Sequence, residues 1–252
     1  MQSYPVRAMA TALVLTALAA CEAAENTKLA PADADPINEE GAANETAADE
    51  PADSAAAAPE PSLADTFGWP APGSYARIST SKGDITVELY TDKAPKTVAN
   101  FLQYAADGHY DRTIFHRVVK GFVVQGGGYG VSLTEREARP PIAYEGDNGL
   151  PNYRTSLAMA RGKNPNSAAA QWYINLRDNN ESLDHFVNDL GPRYGYTVFG
   201  RVIDGMEVAD AIGLIPTGPA GPFEKEVPIE AVTINRVEPV DAPAVAAAVP
   251  AQ

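Results

Sequence analysis

The tract FHRVVKGFVVQGGG, Phe115 to Gly128, leaves this chain little freedom. It is mostly apolar and β-branched, a composition that suits a pleated, half-buried surface. Lys120-Gly121 in its middle predicts a turn, so the tract reads as strand, turn, strand. A segment of this kind is built for a core. Yet Arg117 and Gln125 lie inside it, and it ends in three glycines. Either the two polar groups face solvent from a strand, or they belong to a site.

The residues on either side carry the same period. In YARISTSKGDITVELY, Ile85, Val87 and Leu89 alternate with Thr86 and Glu88, as in a strand with one face buried, and SKGD supplies a hairpin turn. APKTVANFLQYAADG is different. Val98, Phe101, Leu102 and Ala105 recur at helical spacing, Pro95 suits a first turn and Gly108 a stop. A long Pro/Gly-rich loop over 129–154 follows. Then come strands at SLAMA, AQWYINL and YTVFGRVI, a short helix at GMEVADAIG and a last strand at EAVTINRVEP. Many strands, few helices and no βαβ rhythm predict an antiparallel barrel or sandwich with two helices.

Charge divides the chain. The net charge is −14, but Glu22 to Asp65 alone carries −11, twelve acidic residues against Lys28. That stretch is rich in Ala, Pro, Glu and Asp and nearly lacks large apolar residues. It cannot bury enough surface to offset its ordering entropy, and it reads as a disordered tether with an r.m.s. reach of roughly 40 Å. Residues 66–239 are near −3, without the clustered Lys and Arg of a nucleic-acid footprint. The C-terminal DAPAVAAAVPAQ predicts a second frayed tail.

The single cysteine excludes an intramolecular disulfide framework. Cys21 follows Arg7 and the apolar run AMATALVLTALAA, residues 8–20, which is short for a membrane span. LAAC, Leu18 to Cys21, resembles the lipobox of bacterial lipoprotein signal peptides. That resemblance implies cleavage before Cys21 and lipid attachment there. The expected organisation is a signal peptide at 1–20, a lipidated tether at 21–72, a folded domain at 73–239 and a tail at 240–252.

The common chemistries fail on their spacing. His109, His116 and His185 share no ligand pattern and no cysteine assists them, so no metal is expected. No G-x-S-x-G elbow exists, and Asp184-His185 reads as part of a turn. GGGYG, Gly126 to Gly130, does not fit G-x-G-x-x-G and no G-K-[ST] follows, so its glycines read as backbone devices rather than a phosphate cradle. What remains is an arginine, two glutamines and aromatic residues on strands.

These residues resemble the cyclophilins, peptidyl-prolyl cis-trans isomerases. FHRVVKGFVVQGGG is similar to the family signature, and the likeness extends over about 74–238. It takes in AMARGKNPNSAAAQWYINLRDN and YTVFGRVIDGMEVADAI, while RPPIAYEGDNGL is similar to the bacterial periplasmic branch. The resemblance implies an all-β-dominated fold, a closed eight-stranded antiparallel barrel capped by two α-helices. It makes Arg117 the catalytic residue and Phe122 the floor of a proline pocket walled by Val123, Tyr173 and Leu183. Gln125 would orient Arg117 or bind the substrate backbone. Gln171, His116 and Tyr196 would border the groove, and the backbone at Ala160 and Arg161 would hold the peptide. Val123 stands where methionine is common and Tyr173 where phenylalanine is frequent. Tyr173 therefore brings a hydroxyl that needs a partner.

The expected activity is isomerisation of X–Pro bonds in exported proteins, without cofactor. The alternative is a proline-peptide-binding or chaperone module with little turnover. The expected partners are proline-containing polypeptides of the bacterial cell envelope and, through Cys21, a membrane facing the periplasm. Neither nucleic acid nor a second copy of the chain is expected.

Overall fold

A computed structural model of the protein describes residues 63–243. Cys21, the signal peptide and most of the tether and tail lie outside them. The elements in order are α1 (Leu63–Thr66), β1 (Ser74–Thr80), β2 (Gly83–Leu89), α2 (Pro95–Ala106), β3 (Thr113–Ile114), β4 (Arg117–Val119) and β5 (Val123–Gly126). Then follow β6 (Ser156–Met159), a 3-10 turn at Pro165–Ser167, β7 (Trp172–Asn175), α3 (Asn180–Leu183), β8 (Phe186–Asn188) and β9 (Gly191–Arg193). The chain closes with β10 (Val198–Asp204), α4 (Met206–Gly213), β11 (Thr217–Ala220), β12 (Phe223–Pro228) and β13 (Thr233–Val240).

Nine strands form one antiparallel sheet in the order β3-β13-β1-β2-β10-β6-β7-β5-β4. Its outer strands, β3 and β4, are neighbours in the chain, separated only by Phe115 and His116. The sheet therefore curls until both of its edges lie on one run of backbone. Eight strands in one closed ladder were expected. The observed ladder has nine strands and is interrupted at Phe115-His116, where the chain leaves one edge and enters the other. Phe115 N–H donates instead to Val232 O. β8-β9 and β11-β12 form two separate hairpins. The two helices of sequence-readable length, α2 and α4, occur as expected, and α1 and α3 are single turns.

Alternation along the strands sorts side chains into two clusters. Val124, Ile174, Leu157, Met159 and Trp172 turn inward and pack with Val98 and Phe101 of α2 and Ile212 of α4. The intervening residues, Val123, Tyr173 and Ala158, turn the other way and join Tyr90, Phe122, Leu150, Ala160, Leu183, Tyr196 and Val198. Because the period is two, an outward cluster on β5, β7 and β6 follows from the same registers that build the core.

The folded part starts earlier than the expected boundary at 73. Ala64 is buried, and Phe67 and Trp69 pack on the outward cluster. Trp69 stacks on Tyr90 with ring centroids 5.8 Å apart and donates from Nε1 to Ala64 O at 2.9 Å. Leu63 N–H donates to Asp178. Two aromatic residues within seven positions supply the apolar area that the preceding acidic stretch lacks.

Candidate active site

The antiparallel registers place the polar residues of the opening tract in one row. Arg117 on β4 is opposite Gln125 on β5, Gln125 is opposite Tyr173 on β7, Tyr173 is opposite Ala158 on β6, and Ala158 is opposite Val198 on β10. Directly opposed residues share a face of the sheet. Arg117 and Gln125 are thus neither misplaced core residues nor free surface residues. They continue the outward row where apolar side chains give way to polar ones.

The expected walls of the proline pocket come together. Phe122, the expected floor, and Val123, Tyr173 and Leu183, the expected walls, belong to the outward cluster with Ala160 and Tyr196, and all are buried. The Tyr173 and Tyr196 rings meet edge to face at 5.8 Å. The Tyr173 hydroxyl has its partner, donating to Asn152 Oδ1 at 2.8 Å. Asn152 is fully buried and donates in turn to Asp184 Oδ1, from its backbone at 2.7 Å and its side chain at 2.9 Å. Burial raises the Asp184 carboxyl above its ordinary range. Asn179 bonds Asn175 Oδ1 at 2.6 Å and Phe122 O at 3.1 Å. Buried carboxamides thereby pin both the floor and the far wall of the cluster. A fully satisfied network of this kind fixes one arrangement of the groups it joins.

The polar half is built around Gln171. Its Oε1 accepts from Gln125 Nε2 at 2.9 Å and lies 3.2 Å from His116 Nε2. A Cβ at Gly128 would come within 2.6 Å of Gln171 Cγ, so a glycine there leaves room for that side chain. Gly127, at φ +88°, adopts a left-handed conformation that suits glycine. The glycine run is a packing device. His116 is buried against the rings of Tyr129 and Phe223, with centroids at 4.6 and 5.6 Å. Burial, with a smaller contribution from the Arg117 charge, lowers its pKa to about 4, against an upward pull from the bond to Gln171. His116 is therefore neutral near pH 7.

Two donors of this half are engaged within the chain. No hydrogen bond joins Gln125 to Arg117; the Gln125 amide donates to Gln171. Ala160 N–H donates to Gln171 O at 3.0 Å, so that donor is engaged within the fold. The Arg161 guanidinium donates to the carbonyls of Gly162, Tyr194 and Gly195 and lies 4.7 Å above the Tyr196 ring. It fastens the segment carrying Tyr196.

Arg117 itself is held from an unexpected direction. Its Nε donates to Glu226 Oε2 at 2.6 Å, and the two side chains are only 12% and 14% exposed. Arg117 Nη1 is buried without a hydrogen-bond partner. The other Glu226 oxygen pairs with Lys225 at 2.9 Å. Glu226, Phe223, Asn152 and Asn179 were not legible as site residues. FEKEVP reads as an exposed charged strand, and the two asparagines lie in loop and turn stretches with no periodic signal.

Among the described residues, no group of three His, Cys, Asp or Glu side chains is placed to hold a metal ion. No described helix is long and apolar enough to cross a membrane. The described part thus presents an apolar cluster beside a guanidinium, with carboxamides between.

Residues 75–238 match the family described as cyclophilin type peptidyl-prolyl cis-trans isomerase/CLD. Among curated relatives, peptidyl-prolyl cis-trans isomerase B of Escherichia coli is 45% identical over 161 residues, 63% of this chain and 94% of that protein. Peptidyl-prolyl cis-trans isomerase A of Dickeya dadantii is 43% identical over 161 residues, 64% of this chain and 82% of that protein. Among solved structures, a cyclophilin type peptidyl-prolyl cis-trans isomerase of Cryptosporidium parvum is similar. Its TM-score is 0.53 at 28% identity, covering 68% of this chain and 99% of that one. By the family match over most of its length, by its fold and by its relatives, this chain belongs to the cyclophilin-type peptidyl-prolyl cis-trans isomerases.

Proposed function

We propose that the chain accelerates cis-trans isomerisation of X–Pro bonds in exported polypeptides, with Arg117 as the catalytic residue. The observation that carries this reading is the position of Arg117. It ends the outward row beside the buried apolar cluster, with one terminal guanidinium nitrogen lacking a partner.

The chemistry needs little else. Delocalisation of the nitrogen lone pair gives the peptide C–N bond a rotational barrier of about 18–20 kcal/mol. X–Pro bonds hold both isomers and exchange over tens of seconds or longer. In the half-rotated state the lone pair localises on the prolyl nitrogen, which becomes a hydrogen-bond acceptor only then. A fixed guanidinium aimed at that nitrogen stabilises the twisted state more than either planar one. Lowering the barrier by about 7 kcal/mol accelerates exchange roughly 10⁵-fold. The ring of the proline would rest on Phe122 and its neighbours, and no covalent intermediate or cofactor enters.

The setting follows from the sequence outside the described residues. Cys21 in LAAC would carry the lipid, and the acidic tether would hold a monomeric domain on the periplasmic side of a membrane in the bacterial envelope. Firm anchoring takes more than one acyl chain, since each buried CH₂ contributes about 0.8 kcal/mol.

The test is the cis-to-trans relaxation of an Ala-Pro-Phe-type peptide, with wild type beside Arg117→Ala. Loss of a single oriented donor predicts a fall in kcat/KM of about 10²–10³-fold. Equal rates in the two proteins would remove Arg117 from the mechanism. Peptide binding by a wild type that does not accelerate exchange would favour the alternative of a binding or chaperone module.

A further inference from the structure

We infer that Glu226 is a positioning residue for Arg117: the β11-β12 hairpin carries a carboxylate onto the guanidinium and sets the edge that faces the groove. The inference rests on the reading of Arg117 as catalytic. An arginine side chain is long and flexible, while transition-state stabilisation requires a donor fixed before the reaction. On β5 the expected orienting group, Gln125, donates to Gln171 instead. The hydrogen bond that Arg117 makes is to Glu226, 109 positions away.

Three features make this contact a built one. The first is its edge. Glu226 takes Nε alone at 2.6 Å, and not the paired nitrogens a bidentate grip would use. The guanidinium has five N–H donors, of which Nε carries one, so the terminal nitrogens keep theirs. Nη1 is buried and has no hydrogen-bond partner. An ion pair that closed both edges would compete with substrate; this one orients the group and leaves donors over.

The second is the fastening of the hairpin. Phe223, three residues before Glu226, stacks on His116 at 5.6 Å and meets Tyr129 edge-on at 4.9 Å. His116 precedes Arg117 in the chain, so β12 is held at two adjoining points, one aromatic and one ionic. The third is backbone strain. Glu226 sits at φ +70°, in the left-handed region that favours glycine or asparagine. A glutamate kept there against local preference marks a position that its surroundings over-determine.

The experiment uses the full chain in wild-type, Glu226→Ala, Glu226→Gln, Arg117→Ala and doubly substituted forms. Their kcat and KM for an Ala-Pro-Phe-type peptide are read by exchange NMR, with thermal midpoints recorded alongside. We expect Glu226→Ala to lower kcat about tenfold or more with little change in KM. Glu226→Gln should recover part of the loss, because its amide oxygen still accepts from Nε. In the Arg117→Ala background, Glu226→Ala should cost nothing further.

A Glu226→Ala protein as fast as wild type, or faster, would overturn the inference, the latter making the hairpin a brake. So would an equal loss in both backgrounds, which would mark a merely structural role. If Arg117→Ala alone is slow while Glu226→Ala is normal, only the positioning role falls. If Arg117→Ala matches wild type, the catalytic reading falls and this one with it. Should the alanine variants unfold, the Arg117 Nε–H signal of the wild type decides. Protection from solvent exchange supports the pair, and exchange as fast as in free arginine overturns it.

Discussion

Tyr173 and His116 sit a few residues from Arg117 along the registers, and each is shaped by burial. Tyr173 carries a phenolic oxygen, and burial then requires a partner for it. Asn152 supplies one, and burial leaves the phenol protonated, with its pKa pushed well above the ordinary value. His116 has its pKa lowered to about 4 while the unfolded chain keeps about 6.5. Between those values the unfolded chain binds more protons than the folded one. Stability from this residue is complete above about pH 6.5 and is lost as the pH falls toward 4. At about 1.4 kcal/mol per pKa unit the loss is roughly 3 kcal/mol, as an order of magnitude. Denaturant midpoints measured from pH 7 to pH 4 should fall more steeply for the wild type than for His116→Gln. Parallel curves would show that His116 is not held neutral by the fold. That Arg117 and Gln125 share a face follows from the β4-β5 register. That Gln125 bonds Gln171, and Arg117 bonds Glu226, was not legible in the sequence, because both partners arrive through pairings far away in the chain.

At the scale of elements, helix α2 shows what local signals reach. Its apolar spacing and Pro95 predict it, and it runs Pro95–Ala106. Its N-cap, however, is Ala94, which has no side-chain acceptor. Glu145 fills that role from the Pro/Gly-rich loop, accepting from Lys96 N at 3.1 Å, Thr97 N at 2.9 Å and Thr97 Oγ1 at 2.8 Å. A carboxylate at the positive end of a helix satisfies orphan donors and the macrodipole together. The N-terminal segment is the converse case. Acidic, Ala-rich composition up to Asp65 assigns it to a tether, but Phe67 and Trp69 fold back onto the domain. Besides Tyr90, Trp69 lies under the Arg201 guanidinium at 5.3 Å. Trp69→Ala should cost about 2 kcal/mol, from lost apolar burial and ring stacking. Urea denaturation measures it, and a change below about 0.5 kcal/mol, the range of ordinary surface substitutions, would show that 63–72 adds nothing to the domain.

At the scale of the whole molecule, charge and apolar residues are segregated along the chain. The acidic load sits before the domain, and the strands and helices follow it. On the proposed reading, Cys21 ties this arrangement to a membrane. Cys21→Ser should move the protein from the membrane fraction to the soluble one when cells are fractionated. A serine variant that still partitions with membranes would exclude lipidation as the anchor. On the same reading, a tether with an r.m.s. reach of roughly 40 Å would let the domain meet chains as they fold.

By itself, the amino-acid sequence determined the strand-rich class and the two principal helices. Those properties follow from side-chain period, which is local and visible in any one segment. Tertiary structure decided where the curled sheet breaks its ladder and how many strands it counts. It also decided where the folded domain begins and which groups grip Gln125 and Arg117. Each of those depends on register between segments tens of residues apart, and register is settled only when the sheet curls and all its strands pack at once.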